Sequence, residues 1–119
     1  MSKNDSNHPG KAVQIVTAVE TREVAEEIAQ SLLAEHLAAC VQIAGPVSSA
    51  YWWKGAIERS EEWIVTVKST RDRYRTIERQ IVSLHTYDTP EIIAVPVIEG
   101  SQRYLAWMSS VLAEDRSIS

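Results

Sequence analysis

The spacing of apolar residues changes along the chain, and the order of these changes constrains the fold more than any other sequence feature. Apolar residues alternate around Val13, recur at helical spacing over residues 21–36, and return to strand-like alternation through two long segments. Residues 71–85 again have helical spacing, and residues 91–98 are apolar and β-branched. The predicted order is therefore strand, helix, strand, strand, helix, strand, which is the split βαβ pattern of a ferredoxin-like α+β sandwich.

The first predicted helix has the most regular pattern. Val24, Ile28 and Leu32 fall on one line of its surface, and Thr21 is placed to accept a hydrogen bond as its N-cap. A second helix is predicted over residues 71–85, and an extra helix follows the last strand. The apolar surface of this C-terminal helix is too wide for a solvated helix, so we expect much of it to be covered.

Two long segments form a predicted hairpin. Residues 37–53 and 56–69 are strand-like, and Lys54-Gly55 between them is a turn dipeptide. Because proline cannot donate to a β-ladder, Gly45-Pro46 predicts a bulge or bend. Right-handed crossovers place strands 1 and 3 in the centre of an antiparallel sheet and strands 2 and 4 at its edges, with the helices on one face. Pro96 in the last strand agrees with an edge position.

The length of 119 residues and the apolar fraction of 45% suit one globular domain. We place this domain at residues 12–113, between a flexible tail at 1–11 and a short tail at 114–119. A chain of this size buries enough surface to fold without a metal. Cys40 is the single cysteine, which excludes an intramolecular disulfide and favours a reducing cytoplasm. We expect neither a signal peptide nor a membrane span, because no apolar segment is long enough.

The net charge and the sequence motifs argue against nucleic-acid binding and against several classes of enzyme. A formal net charge of -4 without a long basic run argues against nucleic acid as a partner. His85 with Asp88 or Glu91 has the residue types for acid–base chemistry. However, the motifs of serine hydrolases, zinc proteases and phosphate-binding loops are absent from the sequence. We therefore predict a protein that is not an enzyme.

Aromatic residues are concentrated on the hairpin and on the C-terminal helix. Adjacent Trp52 and Trp53 point to opposite faces of a strand, so one of them leaves the core side. Edge strands also carry unpaired backbone groups that another chain can satisfy. We therefore predict a closed homo-oligomer, and a large monomeric core that covers the aromatic residues is the alternative.

Five short motifs occur in order along the domain. They are Leu37-Ala38-Ala39-Cys40-Val41, Ser49-x-Tyr51-x-Trp53-x-Gly55, Glu58 and Glu62 followed by Lys68, His85-x-Tyr87-x-x-Pro90-Glu91, and Tyr104-Leu105-x-Trp107. Together they closely resemble the CutA family of divalent-cation tolerance proteins over about residues 13–112. The resemblance implies a ferredoxin-like subunit in a tight trimer, an architecture shared with PII signalling proteins. It also implies a cytoplasmic protein associated with tolerance to copper and other divalent cations.

Two positions depart from the family pattern. Thr86 replaces the proline that usually stands between the histidine and the tyrosine of the fourth motif, which predicts a looser corner. Some relatives carry a cysteine near the end of the first strand, beside Thr17, where this chain has Val16, Ala18 and Val19. A sulfur ligand for a metal is therefore not expected from that strand.

The segment His85-Thr-Tyr-Asp-Thr-Pro-Glu91 is the candidate metal site. His85, Asp88 and Glu91 offer an imidazole nitrogen and carboxylate oxygens, a set that suits Cu(II), Zn(II) and similar cations. A structural corner is the alternative, in which the imidazole complements the helix end and Glu91 accepts backbone N–H bonds or pairs with a neighbouring chain. The sequence leaves both roles open.

A cleft at a subunit boundary is the second candidate site. Its predicted cleft and interface residues are aromatic or charged: Tyr51, Trp52, Trp53, Glu62, Lys68, Tyr87 and Trp107. Glu62 and Lys68 could instead simply pair across the interface. The sequence thus predicts a homotrimer that binds divalent cations and supports tolerance to them. The alternative is a PII-like regulatory trimer that binds a small ligand or a protein partner in its intersubunit clefts.

Overall fold

Four strands and three helices follow one another in the predicted order in a computed structural model, which describes residues 11–114. The predicted tails therefore lie, apart from Lys11 and Glu114, outside the described residues. The strands are β1 (Ala12–Val19), β2 (Cys40–Trp53), β3 (Ala56–Thr70) and β4 (Ile92–Pro96). The helices are α1 (Arg22–Ala34), α2 (Tyr74–Leu84) and α3 (Gln102–Leu112).

The four strands form one antiparallel sheet in the order β2-β3-β1-β4. This order confirms the predicted α+β fold with strands 1 and 3 in the centre. The register between β2 and β3 shifts between Ala44 and Val47, which confirms the bulge at Gly45-Pro46. Lys54 and Gly55 both have positive φ angles, as a tight hairpin turn requires.

Two element boundaries differ from the prediction for local reasons. The backbone N–H groups of Leu37 and Ala38 bond back to the carbonyl of Leu32, so these residues close α1 and β2 begins only at Cys40. The second helical segment opens with a 3-10 turn at Arg71–Arg73 before α2 begins. Both differences arise where the chain must satisfy helix-end groups before it enters regular structure.

The sheet face covered by α1 and α2, here called the helix face, holds the main core. Ile15, Val65 and Val67 on the strands are fully buried against Ile28 and Ile81 on the helices. Burial of one such aliphatic side chain contributes about 1.5–3 kcal/mol. The helix face is therefore the part of the molecule that stabilises the subunit.

The opposite side of the sheet, here called the open face, is only partly covered. At the end where β1 and β2 begin, Met108 and Leu112 of α3 are buried against Ala39. On β4, the side chains of Ile93 and Val95 remain 50% and 46% exposed. A large part of the apolar surface of the open face is thus left without cover by the described residues.

α3 is held at both ends by side chains. The hydroxyl of Ser101 accepts a hydrogen bond from the backbone N–H of Tyr104 and caps the start of the helix. At its end, Arg73 donates to the carbonyl of Leu112 over 2.9 Å, and Nδ1 of His36 lies 3.1 Å from the carbonyl of Val111. Trp107 nevertheless stays 45% exposed, so the expected covering of this helix is partial.

Candidate functional site

His85 is the residue at which α2 ends, and its ring is fixed by two backbone groups. The backbone N–H of Tyr87 lies 3.2 Å from Nδ1 of His85, and this nitrogen must accept because an N–H group can only donate. Nε2 therefore carries the proton and donates to the carbonyl of Ala18 over 2.9 Å. Burial lowers the pKa of His85, although the bond to Ala18 and the nearby carboxylates of Glu62 and Glu20 partly oppose that shift.

The geometry of His85 bears directly on the predicted metal site. Both of its ring nitrogens are engaged, so neither offers a lone pair to a cation in this conformation. Asp88 and Glu91 line one cavity, whereas His85 is outside its lining. Within residues 11–114, no group of three or more His, Cys, Asp or Glu side chains has an arrangement that could hold a metal ion. Two of the three predicted ligands thus line the same cavity, and the third lies outside its lining.

Thr86, which stands where the family pattern has proline, is tied to another part of the chain. Its hydroxyl donates to Oε1 of Glu20 over 3.1 Å. Glu20 directly follows β1, so this bond joins the loop after α2 to the end of a central strand. The substitution that was expected to loosen the corner thus supplies a hydrogen bond to it.

Glu62 and Tyr87 form a partly buried side-chain contact of the site. The phenol of Tyr87 donates to Oε2 of Glu62 over 2.9 Å, and Glu62 is only 8% exposed. Burial is the main reason that the pKa of Tyr87 lies above its usual range, and the bond to the carboxylate raises it further. Tyr87 therefore keeps its proton at neutral pH and serves as a hydrogen-bond donor to the carboxyl group of Glu62.

A cavity of about 670 Å³ lies beside this pair. One wall is the outer part of β2 and the other is the loop that follows α2. It is lined by Ala18, Ser49, Ala50, Tyr51, Trp52, Trp53, Glu62, Tyr87, Asp88, Thr89 and Glu91. The volume is in the range of pockets that hold small ligands. The fold therefore collects three carboxylates and four aromatic rings around one concave surface.

Two predicted cleft residues lie elsewhere in the subunit. Lys68 is paired with Cys40 at the far end of β3, and its ammonium lies 6.0 Å from the ring centroid of Tyr104. Lys68 stands six positions after Glu62, which corresponds to about 20 Å along the strand. Trp107 packs beside Tyr104, with 5.5 Å between their ring centroids. Within one subunit, therefore, neither Lys68 nor Trp107 contributes to the cavity that Glu62 lines.

Comparison with known proteins identifies the family to which this chain belongs. Residues 13–111 match the family model described as CutA1 divalent ion tolerance protein. This chain belongs to the CutA1 family. A divalent-cation tolerance protein CutA from Thermus thermophilus is 37% identical over 94 residues, which are 79% of this chain and 91% of that protein. The chloroplastic protein CutA of Arabidopsis thaliana is 30% identical over 89% of this chain, and the aligned part spans 58% of the plant protein.

Solved CutA1 structures have the same fold. The structure described as the periplasmic divalent cation tolerance protein CutA from Archaeoglobus fulgidus aligns with a TM-score of 0.82 at 34% identity and covers 85% of this chain and 98% of that chain. CutA1 from Oryza sativa aligns with a TM-score of 0.83 at 30% identity, over 87% of this chain and 95% of that chain. The predicted family and the predicted ferredoxin-like subunit are therefore confirmed.

Some groups of this candidate site were not found from the sequence. Ala18 takes part through its backbone carbonyl, which no side-chain pattern reveals. Glu20 was not singled out, although its position directly after a strand is typical of polar residues that bond to a neighbouring loop. Ser49 was part of a CutA motif, and the structure places it in the cavity wall.

Proposed function

We propose that this chain works as a homotrimer that binds divalent cations and supports tolerance to them, without catalysing a reaction. The CutA1 family membership supports the role in tolerance. The observation that supports a cation site is that Asp88 and Glu91 line the same cavity as the buried carboxylate of Glu62. Carboxylate oxygens bind divalent cations, and at a given site Cu(II) binds more tightly than Zn(II).

In this proposal Asp88 and Glu91 are the ligands, and His85 positions the loop that carries them. Calorimetric titration of Cu(II) and Zn(II) should give heats that disappear when both carboxylates are neutralised as Asp88→Asn and Glu91→Gln. A matched control neutralises two exposed carboxylates on α1, as Glu23→Gln and Glu27→Gln, and should bind like the unmodified chain. Equal heats in both double variants would reject the site.

His85→Gln separates the positioning role from a ligand role. The glutamine amide can still donate to the carbonyl of Ala18, so cation binding should persist if His85 only holds the loop. Loss of Cu(II) binding in this variant, with the fold intact by circular dichroism, would make His85 a ligand after all and restore the three-ligand site predicted from the sequence.

The homotrimer is proposed from the surfaces that one subunit leaves uncovered. The side chains of Trp52 and Ile57 near the hairpin turn are 72% and 59% exposed, and Ile93 on the open face is 50% exposed. Apolar patches of this kind mark association surfaces, and β2 and β4 are edge strands with free backbone groups. Further copies of the chain would cover these apolar side chains and pair with these edge strands.

Multi-angle light scattering tests the assembly. We expect a mass of three subunits for the unmodified chain and a smaller mass for Ile93→Glu. Leu33→Glu is the matched control, because Leu33 is also exposed, at 41%, but lies on α1. A monomeric unmodified chain, or equal dissociation of both variants, would contradict the proposed interface.

The cytoplasm is the proposed compartment, since the single cysteine needs no oxidising environment. No helix within residues 11–114 is long and apolar enough to cross a membrane. Relatives carry periplasmic and chloroplastic descriptions, so the compartment must be measured directly. Fractionation of cells that express the chain should recover it with a cytoplasmic marker.

A second candidate function is a PII-like regulatory trimer that binds a small ligand or a protein partner in its intersubunit clefts. The cavity beside Glu62 favours this alternative, because its volume of about 670 Å³ suits a small organic molecule. A thermal-shift screen with small metabolites tests it, since a ligand that binds only the folded state raises the unfolding temperature. A screen without any shift would count against this function.

A further inference from the structure

The charged residues that line the cavity are all acidic. Among its lining residues are three carboxylates, on Glu62, Asp88 and Glu91, and neither lysine nor arginine. Glu62 is the most buried of the three at 8% exposure, whereas Asp88 and Glu91 lie at exposed positions. The field in the cavity therefore favours a positively charged group and disfavours phosphates, carboxylates and other anions.

Only one of the two carboxylate oxygens of Glu62 has a hydrogen-bond partner among the described residues. Its Oε2 accepts one hydrogen bond, from the neutral phenol of Tyr87. The other carboxylate oxygen is not among the buried side-chain atoms without a partner in residues 11–114, so it is accessible to solvent and to a charged ligand. Because Glu62 lines the cavity, a cation bound there can approach its carboxylate directly.

Aromatic rings line the cavity near Glu62 and can also attract a cation. In the β-ladder, Tyr51 and Trp53 pair with Glu58 and Ala56, which places them on the same side of the hairpin as Glu62. Trp and Tyr rings attract ammonium and guanidinium groups to their faces. Trp53 already engages one cation in this way, since the ammonium of Lys54 lies 5.7 Å from its ring centroid. The cavity thus combines an accessible carboxyl group with aromatic, cation-attracting walls.

We propose that this cavity binds a small organic cation, an alkylammonium or alkylguanidinium compound, with Glu62 as its charge partner and Tyr51 and Trp53 as its walls. The inference rests on the small-ligand function above and names the class of ligand. A bare divalent ion uses the carboxylates but gains little from the aromatic walls. An organic cation fills the volume, contacts the rings and pairs with the carboxylate.

Isothermal titration of the intact chain with putrescine, agmatine and choline tests the proposal, with 1,4-butanediol and succinate as neutral and anionic controls. At least one cation should bind saturably, and both controls should bind at least about tenfold more weakly, which corresponds to about 1.4 kcal/mol. Binding should also weaken as salt is added, because the carboxylates provide the attraction. Equal binding of the diol and the cations would overturn the proposal, and so would no binding of any cation.

Glu62→Gln and Glu61→Gln form a matched pair of variants. Both remove one negative charge from neighbouring positions of β3, but Glu61 is exposed and is outside the cavity lining. The amide oxygen that Glu62→Gln introduces can still accept from Tyr87, so the local structure should survive. We expect Glu62→Gln to weaken cation binding about tenfold or more, and Glu61→Gln to leave it nearly unchanged. Equal affinities in the two variants would refute the role of Glu62.

Two further measurements distinguish a failure of the organic-cation proposal from a failure of the divalent-cation site. Trp53→Leu should weaken the binding of choline severalfold while light scattering shows an unchanged mass, which reports on the aromatic wall without touching a charge. If Glu62→Gln instead reduces the mass of the assembly and no free cation binds, a lysine or arginine of a second copy occupies the cavity and the proposal fails. Cu(II) titration of the Asp88 and Glu91 variant reports separately on the divalent site, so either idea can fail alone.

Discussion

The two faces of the sheet differ in how far one chain completes them. On the helix face, Ile15, Val65 and Val67 are fully buried beneath α1 and α2. On the open face, Ile93 and Val95 of β4 remain about half exposed, although they are as apolar as the residues of the core. The same kind of β-branched side chain therefore stabilises the subunit on one face and leaves apolar surface exposed on the other.

This difference shows what each face contributes. The helix face is buried within one chain, because the apolar sides of α1 and α2 pack against it. The open face combines apolar strands, edge backbone groups and a carboxylate-lined cavity, and the described residues of one chain leave them accessible. Stability resides mainly in the first face, and the candidate functions depend on the second.

The test with the largest expected effect replaces one isoleucine with alanine on each face of the sheet. Ile15→Ala should lower the free energy of unfolding by about 2–5 kcal/mol, because it leaves a cavity in a closed core. Ile93→Ala should cost less than half as much, since its side chain is already 50% exposed in the subunit. Urea unfolding at two protein concentrations measures both values.

Protein concentration distinguishes the two losses. The effect of Ile93→Ala should depend on concentration, because the affected contacts lie between copies in the proposed trimer. The difference between Ile15→Ala and the unmodified chain should stay the same at both concentrations. Equal and concentration-independent costs would mean that the open face is completed within one chain.

A second test concerns the bulge at which β2 passes from the core to the outer hairpin. A Cβ atom on Gly45 would lie 2.8 Å from Cε3 of Trp63, closer than packed carbon atoms allow. Gly45→Ala should therefore destabilise the fold by about 1–3 kcal/mol through overpacking. Thermal and urea unfolding of the variant provide the measurement.

Gly55→Ala is the matched control for that variant. A Cβ atom there meets nothing within 4 Å, but the φ angle of 82° disfavours any side chain. Its cost should be about 1 kcal/mol and should come from the backbone alone. If both alanine variants cost the same, crowding against Trp63 does not hold the bulge in place.

Sequence periodicity was sufficient for the fold because each signal acts within a few residues. The alternation in the strands, the helical line of Val24, Ile28 and Leu32, and the turn at Lys54-Gly55 are all local. Right-handed crossovers then placed the last strand at an edge of the sheet, in agreement with Pro96. Boundaries were less accurate, because Leu37 and Ala38 bond to the end of α1 instead of extending β2.

The site was only partly predictable because its geometry depends on distant backbone groups. Both ring nitrogens of His85 bond to backbone groups, and one of these is the carbonyl of Ala18, which is 67 positions away in the sequence. Lys68 shares the hairpin with Glu62 but stands too far along the strand to reach the same cavity. Residue types thus indicated the candidate chemistry, whereas the strand register decided which groups meet.

A third test uses pH to examine the corner that joins the two faces. The pKa of His85 is lower in the folded chain than its ordinary value of about 6.5, mainly because of burial. Between these two values the unfolded chain binds more protons, so the free energy of unfolding falls as the pH drops through that window. One such group changes stability by at most about 1.4 kcal/mol per pH unit.

The difference between the unmodified chain and His85→Gln isolates this contribution, because the carboxylates titrate in both. Urea unfolding from pH 7.5 to pH 5 should show the unmodified chain losing stability relative to the variant as the solution becomes more acidic. Parallel pH profiles would show that the imidazole does not depend on its neutral form at this corner.

The smallest expected effect lies within the helix face and tests how complete that face is. Thr17 and Ser69 are both fully buried hydroxyl residues on neighbouring strands. Ser69 donates to the carbonyl of Leu37 over 2.6 Å, whereas the hydroxyl of Thr17 is the one buried side-chain polar atom within residues 11–114 that has no hydrogen-bond partner. The two hydroxyls therefore differ in whether the fold compensates them for their lost hydration.

Removal of each hydroxyl should change stability in opposite directions. Ser69→Ala should destabilise the chain by about 1 kcal/mol, and Thr17→Val should stabilise it by up to about 1 kcal/mol, since the buried hydroxyl gains nothing for its lost hydration. Denaturant unfolding of the two variants gives opposite signs if the helix face is fully dry. A destabilising Thr17→Val would instead reveal a buried water bound to that hydroxyl, and the core that looks complete within one chain would contain solvent.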